Sequence, residues 1–120
     1  MARVTGIGGI FFRARDPAAL ADWYRTHLGI TQPDVAVWLQ EAGPTVFSPF
    51  SATTDYFSAD RQWMLNLRVE GLPDLIAQLQ ASGIAVETRA DWDGDGTYGH
   101  FARIHDPEGT PIELWEPPPA

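Results

Sequence analysis

The chain has 120 residues, 44% of them hydrophobic and 20% charged, an ordinary composition for one globular domain. It has no cysteine, all eight of its cations are arginines, and its formal charge is −8; this excludes disulfides, thiolate chemistry, sulfur-ligated metals and lysine Schiff bases, and it disfavours nucleic acid as a partner. No apolar stretch approaches the roughly 18 residues of a membrane span, and the N-terminus lacks a basic-then-apolar leader, so a cytoplasmic protein with no membrane partner is expected.

Residues 6–14 form an apolar run rich in Ile and Phe, which predicts a strand. Asp16-Pro17 ends it with an N-cap residue followed by proline at the first helical position. Leu20, Trp23, Tyr24, His27 and Leu28 then fall at helical spacing, and Gly29 supplies the stop. Residues 35–40 and 45–50 read as two strands joined by a turn over 41–44, and the polar stretch 51–60 reads as a linker. The second half repeats this order. A strand is predicted over 63–69, a helix through Leu72, Leu75, Ile76 and Leu79 to Gly83, and a strand over 84–89. After an acidic, glycine-containing loop at 91–99, strands at 101–104 and 112–115 form a hairpin across Asp106-Pro107-Glu108-Gly109.

The repetition is visible residue by residue. At an offset of 55, Ile10 falls on Leu65, Phe12 on Leu67, Arg13 on Arg68, Leu20 on Leu75 and Tyr24 on Leu79. Two copies are too few for a solenoid, which needs about three. They suggest two small modules that cover each other's sheets, with a ligand cleft between them.

Residues 6–17 (Gly-Ile-Gly-Gly-Ile-Phe-Phe-Arg-Ala-Arg-Asp-Pro), Asp22-Trp23-Tyr24 with Leu28-Gly29, and residues 106–117 (Asp-Pro-Glu-Gly-Thr-Pro-Ile-Glu-Leu-Trp-Glu-Pro) resemble the vicinal oxygen chelate superfamily of glyoxalases, bleomycin-resistance proteins and extradiol dioxygenases. The resemblance covers nearly the whole chain. It implies an α+β fold of two βαβββ modules in one domain, module 1 at about 1–55 and module 2 at about 60–117, whose curved mixed sheets enclose a cleft. It also implies a homodimer.

In the metalloenzymes of that superfamily, ligands on the first and last strand of each module hold a divalent metal that acts as a Lewis acid on two substrate oxygens. Carried onto this chain, those positions fall on Gly9, on Phe47 or Ser48, on Met64 and on Glu113. Glycine has no side chain to ligate, methionine is a soft ligand for a hard ion, and a catalytic site usually needs about three protein ligands. Only Glu113 matches, so no cofactor is expected, and a divalent metal would require an unconventional ligand set.

Strand alternation predicts which side chains share the cleft with Glu113. If Ile10, Phe12, Leu65 and Leu67 face the helices, the other face carries Ile7, Gly9, Phe11 and Arg13 from the first strand. It also carries Met64, Asn66 and Arg68 from the fifth strand, Phe101 and Arg103 from the hairpin, and Trp115 beside Glu113. Phe11, Arg13, Met64, Asn66, Phe101, Arg103 and Trp115 are therefore the expected ligand-binding residues, with Tyr98 closing from the acidic loop. Against this, Arg103 and Glu113 can form a plain cross-strand ion pair, and Arg13 and Arg68 can be solvent-exposed strand ends. An unpaired Glu113 in an apolar cavity would instead be a candidate acid or base.

Among the histidines, His27 suits a helix C-terminus and His105 an exposed turn. His100, where the acidic loop becomes a strand, is the one expected to reach the cleft mouth, as a catalytic candidate beside Glu113. Asp91, Asp93 and Asp95 with Gly96 match the start of a calcium loop, but the twelfth position is Ala102, where a glutamate is required. Two functional readings follow. One is a metal-independent protein of the bleomycin-resistance type that sequesters a small organic molecule. The other is a metal-dependent lyase, isomerase or dioxygenase. A fold-only protein, its cleft filled by Phe11, Phe101 and Trp115, is the third.

Overall fold

Ile112 and Leu114 alternate with Glu113 and Trp115, so a strand through them has one apolar face to bury and one mixed face to present. The computed structural model, which describes residues 2–30 and 37–119, builds its sheet around that strand. β1 (Leu65–Arg68), β2 (His100–His105) and β3 (Pro111–Glu116) lie in the order β1-β3-β2. β1 runs parallel to β3 and β2 antiparallel to it. The apolar face carries two rows across the sheet, Leu65–Ile112–Ile104 and Leu67–Leu114–Ala102. Ala102, Ile104, Ile112 and Leu114 are fully buried there.

Two helices cover that face, α1 (Pro17–Leu28) and α2 (Leu72–Ala81), through Leu20, Tyr24, Leu72 and Leu79. α1 starts as the sequence predicts, with Asp16 Oδ1 accepting from the Ala19 N–H at 3.1 Å. It ends at Gly29, whose φ of 67° is the left-handed conformation that favours glycine. α2 has no side-chain cap of its own at Gly71. The carboxylate of Glu116, at the end of β3, supplies one by accepting from the Gly71 and Leu72 N–H groups at 2.9 and 3.1 Å.

The Asp106–Gly109 turn ties the two halves of the chain together. Buried Asp106 accepts from the Glu108 and Thr110 N–H groups at 2.9 and 3.0 Å with one oxygen, and from the Tyr24 hydroxyl at 2.7 Å with the other. Glu108 in turn accepts from the Arg15 and Asp16 N–H groups just before α1. Between α2 and β2, the predicted strand at 84–89 is reduced to one bridge, Glu87 to Arg103. A single-turn helix, α3 (Ala90–Asp93), opens the acidic loop.

The described sheet is therefore built from the second half of the chain. In the first half the predicted helix is present, but the runs 6–14, 37–40 and 45–50 carry no strand pairing among the described residues. The start of the predicted strand at 35–40 lies outside the described residues. These runs are largely open to solvent, with Phe11, Leu39 and Phe47 98%, 89% and 83% exposed. The radius of gyration, 15.2 Å, exceeds the roughly 13.6 Å expected of a compact chain this long. Apolar alternation marks a segment as strand-like, but a strand exists only once a partner takes its backbone hydrogen bonds.

Candidate functional site

On the sheet face away from the helices, register places four polar residues in one row: Asn66 on β1, Glu113 on β3, Arg103 on β2, and Glu87 at the bridge. The row beside it is Arg68–Trp115–Phe101. Alternation along β1, β2 and β3 thus brings Asn66, Phe101, Arg103, Glu113 and Trp115 together as the sequence predicts.

Glu113 is only 8% exposed, and a buried carboxylate needs partners. Asn66 Nδ2 donates to its Oε1 at 2.7 Å, and the Tyr56 hydroxyl donates to its Oε2. Arg103, 9% exposed, stands opposite Glu113 in register, yet the expected ion pair does not form. Ion pairs among the described residues join Arg15–Glu108, Arg25–Asp22, Arg89–Glu87 and His100–Asp93. Arg103 instead donates from Nη2 to the Tyr56 carbonyl at 3.0 Å. Its guanidinium lies 5.0 Å from the Tyr56 ring centroid and 5.4 Å from that of Trp92, within cation–π range. Its Nε–H is buried without a partner among the described residues. Burial, with the hydrogen bond to Glu113 second, pushes the Tyr56 phenol up to about 12.

The neighbouring row is aromatic. Phe101 and Trp115 stack with centroids 6.5 Å apart and planes 11° apart. Trp115 Nε1 donates to the Tyr98 carbonyl at 2.7 Å, and Arg68 holds residues 41–44, where no hydrogen-bonded turn forms, by donating to the Glu41 and Pro44 carbonyls. Gly99 makes the close return of the chain at this point. A Cβ there would lie 2.1 Å from the Glu116 carbonyl oxygen.

Other predicted residues lie elsewhere. Phe11, Arg13 and Tyr98 are exposed, and Met64 is half-buried just before β1. His100 is exposed at the start of β2, where Asp93 holds its Nδ1 at 2.9 Å. By alternation along β2 it faces away from Arg103, so it does not join Glu113. The Asp93 carboxylate also accepts from the Phe101 N–H, and Asp95 accepts from Thr97. Two of the acidic loop's carboxylates, Asp93 and Asp95, are thus taken up in holding the loop and the start of β2.

Tyr56 and Trp92 were not expected at the site. Both lie in segments that read as polar connections, the linker 51–60 and the acidic loop 91–99. The signal for Tyr56 was its aromatic doublet with Phe57 inside an otherwise polar stretch, since large rings in a connection are usually buried against something.

An amide N–H, a phenol O–H and a guanidinium are a donor set suited to a carboxylate, not to a divalent cation, which requires lone pairs. Gly9 and Ser48 are exposed, and no three His, Asp or Glu side chains converge among the described residues. On the helix side an open hollow of about 150 Å³, lined by Phe12, Ala14, Leu20 and Tyr24, has no convergent polar groups beyond the committed Tyr24 hydroxyl.

The sheet is mixed, with helices on one face and a buried carboxylate on the other, and residues 9–115 match the glyoxalase-like domain family. The chain belongs to that family, within the vicinal oxygen chelate superfamily. Among solved structures it is similar to TnmS3, an antibiotic-binding protein from Streptomyces sp. CB03234, at 20% identity and a TM-score of 0.62, covering 98% of this chain and 100% of that one. None of the curated proteins matches.

Proposed function

We propose that this protein binds a bulky organic molecule against the Glu113 row, without a metal and without making or breaking a bond in it. Glu113 carries the reading. It is a buried carboxylate whose partners are a phenol and an amide, with a desolvated arginine and several aromatic rings around it. Such a site combines apolar area with a few directional polar groups, as small-molecule sites do. The aromatic faces and the −8 charge suit an aromatic, cationic drug or natural product. TnmS3, a protein of the same fold described as antibiotic-binding, supports this reading. The donor character of the groups around Glu113 supports metal independence.

In the same reading residues 1–120 are one domain of two modules, at about 1–55 and 60–117. The segments 6–14 and 37–50 complete their sheet against a second copy of the chain, and the ligand lies in the cleft so enclosed. Phe11, Val37, Leu39, Val46 and Phe47 on those segments are mostly exposed, apolar surface of the kind that a partner covers, and the outer edge of β1 has no partner in the described sheet.

The test is titration of the wild-type protein with a panel of cationic aromatic antibiotics, with and without chelator. Tryptophan fluorescence and melting temperature are followed together with ligand recovery. The expected result is quenching and a raised melting temperature, with the ligand recovered intact and no effect of chelator. Ligand consumption that chelator abolishes would replace this reading with a metal-dependent lyase, isomerase or dioxygenase.

A further inference from the structure

We infer that the Tyr56 side chain is a built-in occupant of the ligand site, and that the Glu113 row takes hydroxyaryl molecules whose phenol replaces that of Tyr56. The inference rests on the binding function proposed above and narrows its ligand class.

Three contacts describe how the site holds a phenol. The hydroxyl donates to Glu113 Oε2, the ring lies under the Arg103 guanidinium at 5.0 Å, and the ring meets Trp92 edge-on at 6.4 Å. None of these contacts depends on the phenol being attached to this chain. Asn66 occupies the other Glu113 oxygen from within the sheet, so Oε2 is the position left for an exchangeable donor.

Tyr56 does not belong to the scaffold that holds Glu113. It comes from residues 51–60, which form neither helix nor strand. Its backbone is tied to the sheet through the Tyr56 carbonyl, which accepts from Arg103 Nη2 and fixes the main chain but not the ring, and the stretch is otherwise organised by short-range bonds such as the Tyr56 N–H to Thr54 Oγ1 at 3.2 Å. Segments held mainly by local bonds open at low free-energy cost compared with a core strand.

The occupant also leaves the site incompletely satisfied. Arg103 Nε–H is buried with no acceptor among the described residues, and an unmade hydrogen bond in a desolvated place is unfavourable. The only oxygen on the Tyr56 ring is committed to Glu113. A hydroxyaryl molecule with a second, acceptor oxygen on its ring system would satisfy Arg103 where Tyr56 cannot. That difference gives such a ligand an advantage over the side chain it displaces.

The experiment compares 2-naphthol with 2-methoxynaphthalene, which lacks only the donor hydrogen, by equilibrium dialysis at neutral pH against wild-type, Tyr56→Phe and Glu113→Gln proteins. Tyr56→Phe leaves Glu113 Oε2 unclaimed, so it is expected to bind 2-naphthol roughly five- to tenfold more tightly than wild type, the worth of one hydrogen bond. Its affinity for the methyl ether should rise by a similar factor, because that ligand too no longer has to break the Tyr56 bond, so the preference for the naphthol is kept in this variant. Glu113→Gln should lose most of the preference for the naphthol. In parallel, wild-type protein labelled with 3-fluorotyrosine carries three fluorine signals, one per tyrosine. The Tyr56 signal, assigned by its absence in Tyr56→Phe, should move towards its solvent-exposed position as 2-naphthol is added.

If Tyr56→Phe gains nothing for 2-naphthol while its melting temperature falls, Tyr56 is a structural partner of Glu113 and the inference is overturned. A static fluorine signal with 2-naphthol bound overturns it as well, without recourse to a variant. Antibiotics that bind wild type with the Tyr56 signal unmoved would leave the binding function standing and remove only this inference.

Discussion

Asp106 collects three hydrogen bonds on one buried carboxylate, two from its own turn and one from Tyr24 across the sequence. The Tyr24 phenol is pushed well above its ordinary value, by burial first and then by its bond to Asp106, which keeps it a donor at neutral pH. Tyr24→Phe removes that donor and leaves a buried carboxylate oxygen short of a partner, which should cost about 1–3 kcal/mol. Urea denaturation monitored by circular dichroism measures it, and a cost near zero would mean that water replaces the hydroxyl. Asp106 and Glu113 sit in the same hairpin, yet their environments differ. One is held by the fold's own turn and helix, the other by a linker tyrosine and an amide, which is why the first reads as scaffold and the second as site.

At the scale of elements, α2 depends on β3 for its start. Gly71 brings no capping side chain, and Glu116 reaches from the strand to accept both free N–H groups. Those two backbone bonds hold the Glu116 carboxyl below its ordinary value of 4.5. The ionised carboxylate therefore stabilises the fold fully above that value, and its contribution disappears as pH falls through the lower folded-state value. Glu116→Gln should cost about 1 kcal/mol at neutral pH, as lost caps do. It should also flatten the acid limb of the melting temperature against pH, which calorimetry from neutral down to about pH 3 would read. An acid limb as steep as that of wild type would show that the cap does not depend on charge. The helix α2 and the three paired strands of the second half were legible in the sequence because each carries its own signal, whereas the run at 84–89 makes only one bridge and α3 was not read. Leu72 to Leu79 repeat at helical spacing, and Ile112 and Leu114 alternate with Glu113 and Trp115. The row Asn66–Glu113–Arg103 followed from that alternation alone. Tyr56 and Trp92 were not legible, because connections have no period from which to read the direction of a side chain.

For the whole molecule, the unpaired apolar segments of the first half are the dominant feature. A helix closes its hydrogen bonds within itself, so α1 forms where its periodicity predicts. Strands need a neighbour, and the runs at 6–14, 37–40 and 45–50 find none among the described residues. If a second copy supplies it, light scattering behind size exclusion should give twice the 13.3 kDa of one chain. Replacing Leu39 and Phe47 together by aspartate should shift the population to monomer. A monomeric wild type that stays folded would mean that the segments close on their own chain instead.

Sequence by itself determined the family, the alternation that sorts side chains between the two faces of the sheet, the caps and stops of α1, and the place of Glu113 in the last strand. These are local facts, fixed by period, by residue type at a terminus, or by a short motif. Only the tertiary structure decided what partners Glu113 has. Arg103 turns from its expected ion pair to the Tyr56 carbonyl and ring, and a linker tyrosine takes the free carboxylate oxygen. A buried group's partners depend on which distant segment arrives at it, and no spacing along the chain encodes that arrival.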